Sequence, residues 1–290
     1  MKVYLEYNQE ELNSQYDQRS LVPDPSNFFK IWSETTQWAK TRFNCQENIA
    51  YGDHPDELLD LYLPDGVEGK DALAPLLVFC HGGAWQRLSK DDSGYIATVY
   101  VPEGIALAAL NFSLAPEGKL ELIVDQVRRA VVYLYENASE LLVERDQIYI
   151  CGHSSGAHLA ANIAVTDWSN FGVPQNLIKG LTLVSGPYDL EPVRLSARND
   201  YLFLDEETAQ ALTPQTHLRQ GLAPAIFAWG GRELEEFQRQ SASLAEAWEN
   251  QGMAVQRIFY HDKNHFEMGC ENMDSGSRLA KATLDQIKSC

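Results

Sequence analysis

The stretch Ile148-Tyr-Ile-Cys-Gly-His-Ser-Ser-Gly-Ala-His-Leu-Ala-Ala161 passes from one kind of local structure to another with no spacer between them. Ile148 to Cys151 is a short β-branched and apolar run, which predicts a strand, while the residues after Gly156 are Ala- and Leu-rich and predict a helix. Between them stand Gly152, Ser154 and Gly156 in a G-x-S-x-G spacing. The two glycines remove side chains that would collide where a strand and a helix pack closely around one strained residue, so Ser154 is lifted onto the tip of the turn. A helix start beside that hydroxyl directs unpaired backbone N–H groups at its surroundings, which suits a nucleophile whose attack creates an oxyanion.

On either side of this stretch the pattern alternates. Residues 9–19 and 25–43 have apolar residues at helical spacing and read as two N-terminal helices, with Ser26 as a cap for the second. Strands are expected at N-I-A-Y-G from Asn48, at L-L-D-L-Y-L, at L-L-V-F-C ending in Cys80, and at I-A-L-A-A-L-N-F; residues 65–74 read as a turn. A helix-like segment lies near residues 90–100 and a long helix over 119–143 carries an apolar stripe of Leu122, Val127, Ala130, Val131 and Leu134 that is expected to be buried. After the Ser154 helix come the strand G-L-T-L-V-S, a helical insertion over 202–218, the strand A-P-A-I-F-A-W-G, a helix over 235–251, the strand A-V-Q-R-I-F-Y and a closing helix over 277–288. Interior strands apolar on both faces, alternating with helices, predict one α/β domain built on an open, mostly parallel sheet covered by helices on both faces.

Composition narrows the classes. The chain has 290 residues, 44% of them hydrophobic and 22% charged, which suits a globular fold with a buried core. No apolar span reaches transmembrane length, and the N-terminus turns acidic before an apolar h-region forms, so neither a membrane helix nor a secretory signal is expected. A net charge of -18 repels phosphate backbones and anionic membrane surfaces and argues against nucleic-acid or membrane partners. The five cysteines are scattered with no C-x-x-C pair, and Cys80 and Cys151 end apolar strands, which predicts buried thiols in a cytoplasmic protein without disulfides or structural zinc. The oligomeric state is left open, a homodimer being one option.

A serine hydroxyl needs a base, a group to orient the base, and donors for the oxyanion. In an open α/β sheet these belong in loops just after strands. The loop H-G-G-A-W follows the Cys80 strand, and its Gly82 and Gly83 can present N–H groups to an oxyanion together with the N–H of Ser155. His81 precedes the nucleophile and is read as holding that loop; Trp85 and His153 are read as substrate-facing, with packing the other option for Trp85. The loop K-N-H-F-E after the last strand supplies His265 as the base, with His261 as its competitor. The loop G-G-R-E-L-E-E-F supplies Glu233 as the acid, with Asp189 as the alternative, and Glu235 and Glu236 are placed on an exposed first helical turn.

These residues resemble α/β-hydrolases of the kynurenine formamidase (arylformamidase) and esterase type, which carry H-G-G-x-W ahead of G-H-S-x-G. The likeness extends to Y-D-Q-R-S-L-V-P-D, N-F-S-L-A-P, V-S-G-P-Y-D-L-E-P-V and G-G-R-E-L-E-E-F-Q-R-Q-S, nearly the whole chain. It implies an α/β-hydrolase fold with Ser154 as nucleophile, Glu233 as acid, His265 as base, and Gly82, Gly83 and Ser155 as backbone donors, without metal or cofactor. Ala84 stands where many relatives carry a bulkier, often aromatic residue, and Glu233 where some carry Asp. The implied function is hydrolysis of an aryl formamide such as N-formylkynurenine through an acyl-enzyme, the N-terminal segment helping to shape the pocket. A broad carboxylesterase or amidase is the runner-up, and a ligand receptor without turnover the rival from another class.

Overall fold

Side chains that alternate along each strand set the two faces of a single sheet. The computed structural model describes residues 1–67 and 73–289, so part of the turn read at 65–74 lies outside the described residues. Its strands are β1 (Asn44–Ala50), β2 (Leu58–Leu63), β3 (Ala74–Cys80), β4 (Ala106–Leu110), β5 (Val143–His153), β6 (Ile178–Val184), β7 (Ala225–Gly230) and β8 (Val255–Tyr260). They lie in the order β1-β2-β4-β3-β5-β6-β7-β8. β1 and β2 are antiparallel to their neighbours, and every pairing from β4 to β8 is parallel. This is the α/β-hydrolase fold.

The helices are α1 (Gln9–Ser14), α2 (Ser26–Arg42), α3 (Ala97–Tyr100), α4 (Leu120–Glu136), α5 (Ser155–Val165), α6 (Glu191–Leu195), α7 (Asn199–Leu202), α8 (Glu206–Ala211), α9 (Glu235–Asn250), α10 (His265–Glu271) and α11 (Arg278–Lys288). Leu76, Val78 and Cys80 of β3, with Ile148 and Ile150 of β5, face the core shared with α4, α5 and α9. The intervening Leu77, Phe79, Tyr149 and Cys151 face a second core built with α2, α3 and α11. Period-2 strands with both faces apolar therefore bury the sheet from both sides. Helix α5 is buried along its whole length, with Ala157, Leu159, Ala160, Ala161 and Ile163 in the core and the polar His158 and Asn162 bonded to the Leu212 carbonyl.

Four local readings are corrected. Of the stripe on α4, Val127, Ala130, Val131 and Leu134 are buried, but Leu122 is exposed. The long helix stops at Glu136 rather than near Val143, because Leu142 turns through φ +59° and Val143 is drawn into β5 opposite Ala74. Ser26 is the first residue inside α2 rather than its cap; its N–H and hydroxyl both donate to Asp24 Oδ1. The insertion between β6 and β7 begins at α6, earlier than its sequence pattern indicates. Among the described residues no helix is long and apolar enough to cross a membrane.

Candidate active site

The strand order reverses at β3, whose neighbours are β4 on one side and β5 on the other, so the carboxyl ends of β3 and β5 open a crevice between them. The Gly82–Gly83 loop leaves β3 there, and Ser154 follows β5. The glycines do what their spacing requires. A Cβ on Gly156 would lie 2.0 Å from the Cys80 carbonyl oxygen, and one on Gly152 would lie 2.2 Å from the Gly156 oxygen. Close approach of α5 to the end of β3 thus depends on both, and it forces Ser154 to φ 57°, ψ -128°, a conformation L-residues rarely hold. The Ser154 N–H anchors this turn on the Val184 carbonyl at 2.8 Å.

Three distant segments meet at that hydroxyl. His265 Nε2 lies 2.8 Å from Ser154 Oγ, and His265 Nδ1 lies 2.8 Å from Glu233 Oε2. The other carboxylate oxygen, Oε1, accepts from Ser185 Oγ at 2.6 Å and from the Gly230 N–H at 2.7 Å. Glu233 and His265 are both buried, so the pair is shielded from water and each polar atom has a partner within the protein. Helix α10 starts at His265 under a capping box from Asn264 and Glu267, which fixes the backbone of the imidazole. His153 adds a second brace, its Nε2 donating to the His265 carbonyl oxygen at 3.0 Å. Burial, reinforced by the neighbouring His265, holds the His153 imidazole down at about 3, so it stays neutral.

Opposing the serine, Gly82 and Gly83 form a loop that only small residues permit. Gly83 has φ +104°, and a Cβ there would lie 2.1 Å from the Arg87 carbonyl oxygen. Neither glycine N–H has an acceptor among the described residues, and the N–H of Ser155 heads α5. Ser155 Oγ accepts from the Trp85 N–H at 3.1 Å, tying this loop to the helix start. His81 holds the loop from behind, stacked on Phe112 with ring centroids 4.2 Å apart and Nδ1 2.8 Å from the Gly82 oxygen. Burial pulls its imidazole down to about 4.

The competing residues are occupied elsewhere. Asp189 accepts from the Tyr4 hydroxyl at 2.8 Å and pairs with Arg239, while His261 is exposed and rests edge-on against Phe259. Trp85 is not substrate-facing: Ala84 and Trp85 both take φ near +60°, which turns the indole inward against His158, leaving 1% of it exposed. Glu236 is buried rather than exposed, since Arg239 and Gln240 converge on its carboxylate and Gln15 accepts its N–H. Sequence reasoning missed Ser185 and the Gly230 N–H; the signal for Ser185 was its place directly after β6.

A cavity of about 510 Å³ opens over Ser154, and His153, Gly82, Gly83 and Ala84 line it together with the N-terminal segment around Tyr16 and Gln18. That segment is strapped down: Asn13 Oδ1 accepts from the Ala197 N–H and the Tyr16 carbonyl from Arg198. The one acidic cluster with ligand-like spacing among the described residues, Glu47, Asp60 and Asp91, lines no part of the cavity and is filled by the ammonium groups of Lys40 and Lys90.

Comparison with known proteins matches residues 59–185 to the family model BD-FAE. The chain is 35% identical over 257 residues to a kynurenine formamidase from Danio rerio, covering 87% of this chain and 85% of that one. Similarity to a kynurenine formamidase from Salmo salar is equal, 35% over 261 residues, with 88% and 86% covered. A hyperthermophilic esterase from the archaeon Pyrobaculum calidifontis shares the fold, with a TM-score of 0.70 at 19% identity over 97% of this chain and 95% of that one.

Proposed function

This chain belongs to the kynurenine formamidase family and is a hydrolase of the arylformamidase or esterase kind, and we propose that it cleaves N-formylkynurenine-like aryl formamides through a formyl-enzyme. The observation that carries the reading is the hydrogen-bonded line from Ser154 through His265 to Glu233, with both links at 2.8 Å, on the wall of a cavity flanked by free loop amides. Ser154 Oγ attacks the formyl carbon while His265 Nε2 takes its proton. Glu233 keeps the imidazole proton on Nδ1 and stabilises the imidazolium that results. The developing oxyanion is met by the N–H groups of Gly82, Gly83 and Ser155, and no reorganisation is needed at that moment. His265 then gives its proton to the departing aryl amine. Water, deprotonated by the same nitrogen, releases formate and restores the serine.

Rings of Phe29, Trp32 and Phe266 line the cavity and support a flat leaving group. The same relay acts on short esters or anilides, which stand as the second reading. The net charge of -18 supports a small-molecule substrate rather than nucleic acid or an anionic membrane, and buried free Cys80 and Cys151 support a cytoplasmic setting. Turnover of N-formylkynurenine, an acetanilide and p-nitrophenyl acetate by the purified protein tests the choice. The formamide is expected to have the highest kcat/KM, and absence of formamide turnover above background would end this reading.

A further inference from the structure

We propose that Arg198, together with Arg87, binds a carboxylate on the leaving-group part of the substrate, so that the enzyme selects aryl amides or esters bearing an acid. The proposal rests on the hydrolase reading of the same cavity and adds to it the ligand chemistry. Although the chain carries a net charge of -18, the charged side chains lining its cavity, histidines aside, are Arg19, Arg87 and Arg198 against Asp17 alone. Arg19 is paired with Asp17 at 3.2 Å. Among the described residues neither Arg87 nor Arg198 has a carboxylate within ion-pair distance, so the cavity has an excess of positive charge inside an acidic protein.

Arg198 is held rather than waving in solvent. Its Nη2 donates to the Tyr16 carbonyl at 2.6 Å, its Nη1 to the Tyr201 hydroxyl at 3.3 Å, and the guanidinium lies over the Tyr16 ring, 5.6 Å from the centroid. Tyr201 in turn donates to the Ala84 carbonyl at 3.2 Å, linking Arg198 to the loop that carries Arg87. Arg198 Nε is buried with no acceptor, and so is Nε2 of Gln18, a buried residue lining the same cavity. A buried donor without an acceptor is costly, and an unpaired guanidinium more so. With the guanidinium groups of Arg87 and Arg198 on the lining and no carboxylate paired to either among the described residues, what would complement this wall is rich in acceptors and negative. A carboxylate fits, being planar and able to accept from the fork of an arginine at two oxygens. The aromatic rings on the same lining supply the flat surface that an aryl group between carboxylate and scissile bond would need.

The test compares kcat/KM within two substrate pairs: N-formylkynurenine against its carboxamide, and 4-acetoxybenzoate against 4-acetoxybenzamide. The wild type is expected to favour the acid of each pair by about 10- to 100-fold, the worth of a charge-assisted hydrogen bond. Arg198→Met and Arg87→Met should each cut that acid-to-amide ratio about tenfold or more through KM, and Arg198→Lys should restore part of it. A wild-type ratio near one, or an Arg198→Met change that slows acid and amide alike, overturns the proposal and leaves Arg198 as a brace for Tyr16. Arg87→Met carries the test if Arg198→Met does not fold. If both formamides are inert while the ester pair keeps its preference, the formamidase reading fails and the carboxylate site stands. If both formamides turn over equally fast, the reverse holds.

Discussion

Glu233→Gln should lower kcat/KM by about 10²- to 10⁴-fold, equivalent to about 2.7 to 5.4 kcal/mol of lost transition-state stabilisation. The size follows from which atoms surround the carboxylate. Oε1 is held by two donors, the Ser185 hydroxyl at 2.6 Å and the Gly230 N–H at 2.7 Å, while Oε2 faces His265 Nδ1 at 2.8 Å. The Gly230 N–H can only donate, so a glutamine must turn its carbonyl oxygen toward Gly230 and its amide NH₂ toward His265. The opposite orientation would set N–H against N–H in a buried site, at about 1 to 3 kcal/mol for each unsatisfied group. His265 Nδ1 must then accept, and the ring proton moves to Nε2. There it points at Ser154 Oγ, where a lone pair is needed, so only a minor tautomer can take the serine proton. Steady-state kcat/KM on a formamide and on p-nitrophenyl acetate, beside the rate of fluorophosphonate labelling of Ser154, measures the loss independently of substrate. A deficit under tenfold, or a larger one from Asp189→Asn, would show that Glu233 does not hold the imidazole.

Ser154→Ala should lower kcat by about 10⁴- to 10⁶-fold with the fold intact; Ser154→Gly should be more stable than Ser154→Ala by about 1 kcal/mol in denaturant unfolding, because glycine accepts φ 57°, ψ -128° without strain. Gly83→Ala, which drives a Cβ to 2.1 Å from the Arg87 oxygen at φ +104°, should cost about 10²-fold or more in kcat with a native-like circular dichroism spectrum. Ser185→Ala removes one of the two donors on Glu233 Oε1 and is expected to cost about tenfold in kcat/KM, with a full wild-type rate as the contrary result. Burial holds His81 and His158 at about 4 and His153 at about 3, below the ordinary 6.5, so the unfolded chain takes up protons first as pH falls. The stability from these neutral imidazoles is complete above about pH 6.5 and is lost toward pH 4, at about 1.4 kcal/mol per pH unit for each histidine; urea midpoints at pH 7.5 and 5 should show the decline.

The parallel sheet and the turn at Ser154 were legible because their causes are local. Runs such as Leu76 to Cys80 are apolar at every position, which in a strand requires cover on both faces, and the glycines of G-x-S-x-G answer a clash between adjacent elements. The rule that functional loops follow strands brought His265 and Glu233 into view, but it admitted His261 and Asp189 beside them. What was illegible depends on partners far away in the chain. The end of α4 is decided by the pairing of Val143 with Ala74, the burial of Glu236 by Arg239 and Gln15, and the inward turn of Trp85 by positive φ angles imposed by Ser155 and the loop around it. An exposed acidic first turn and an aromatic at a pocket rim are the common outcomes for such residues, and only the tertiary contact reverses them. Ser185 lay in a loop that the strand rule marks, but a serine there has many bland uses until the carboxylate it binds is known.

The two halves of the site are therefore built from different material. Ser154, His265, Glu233 and the Gly82–Gly83 loop sit on strand ends locked by the sheet, where a Cβ added at Gly83, Gly152 or Gly156 would lie 2.0 to 2.2 Å from backbone oxygen and leaves no room for variation. The wall facing them is made of the N-terminal segment and the residues around α6 and α7, fastened to each other and to the body by Tyr4 to Asp189, Asn13 to Ala197, and Arg198 to Tyr16. Two of these, Tyr4 to Asp189 and Arg198 to Tyr16, are part-buried and charge-assisted, worth about 1.5 to 3 kcal/mol each, so this wall is held by side-chain contacts that can be exchanged without disturbing the reacting atoms. The chemistry is thereby fixed by backbone packing, while selectivity is carried by side chains such as Arg198 on a separately tethered wall.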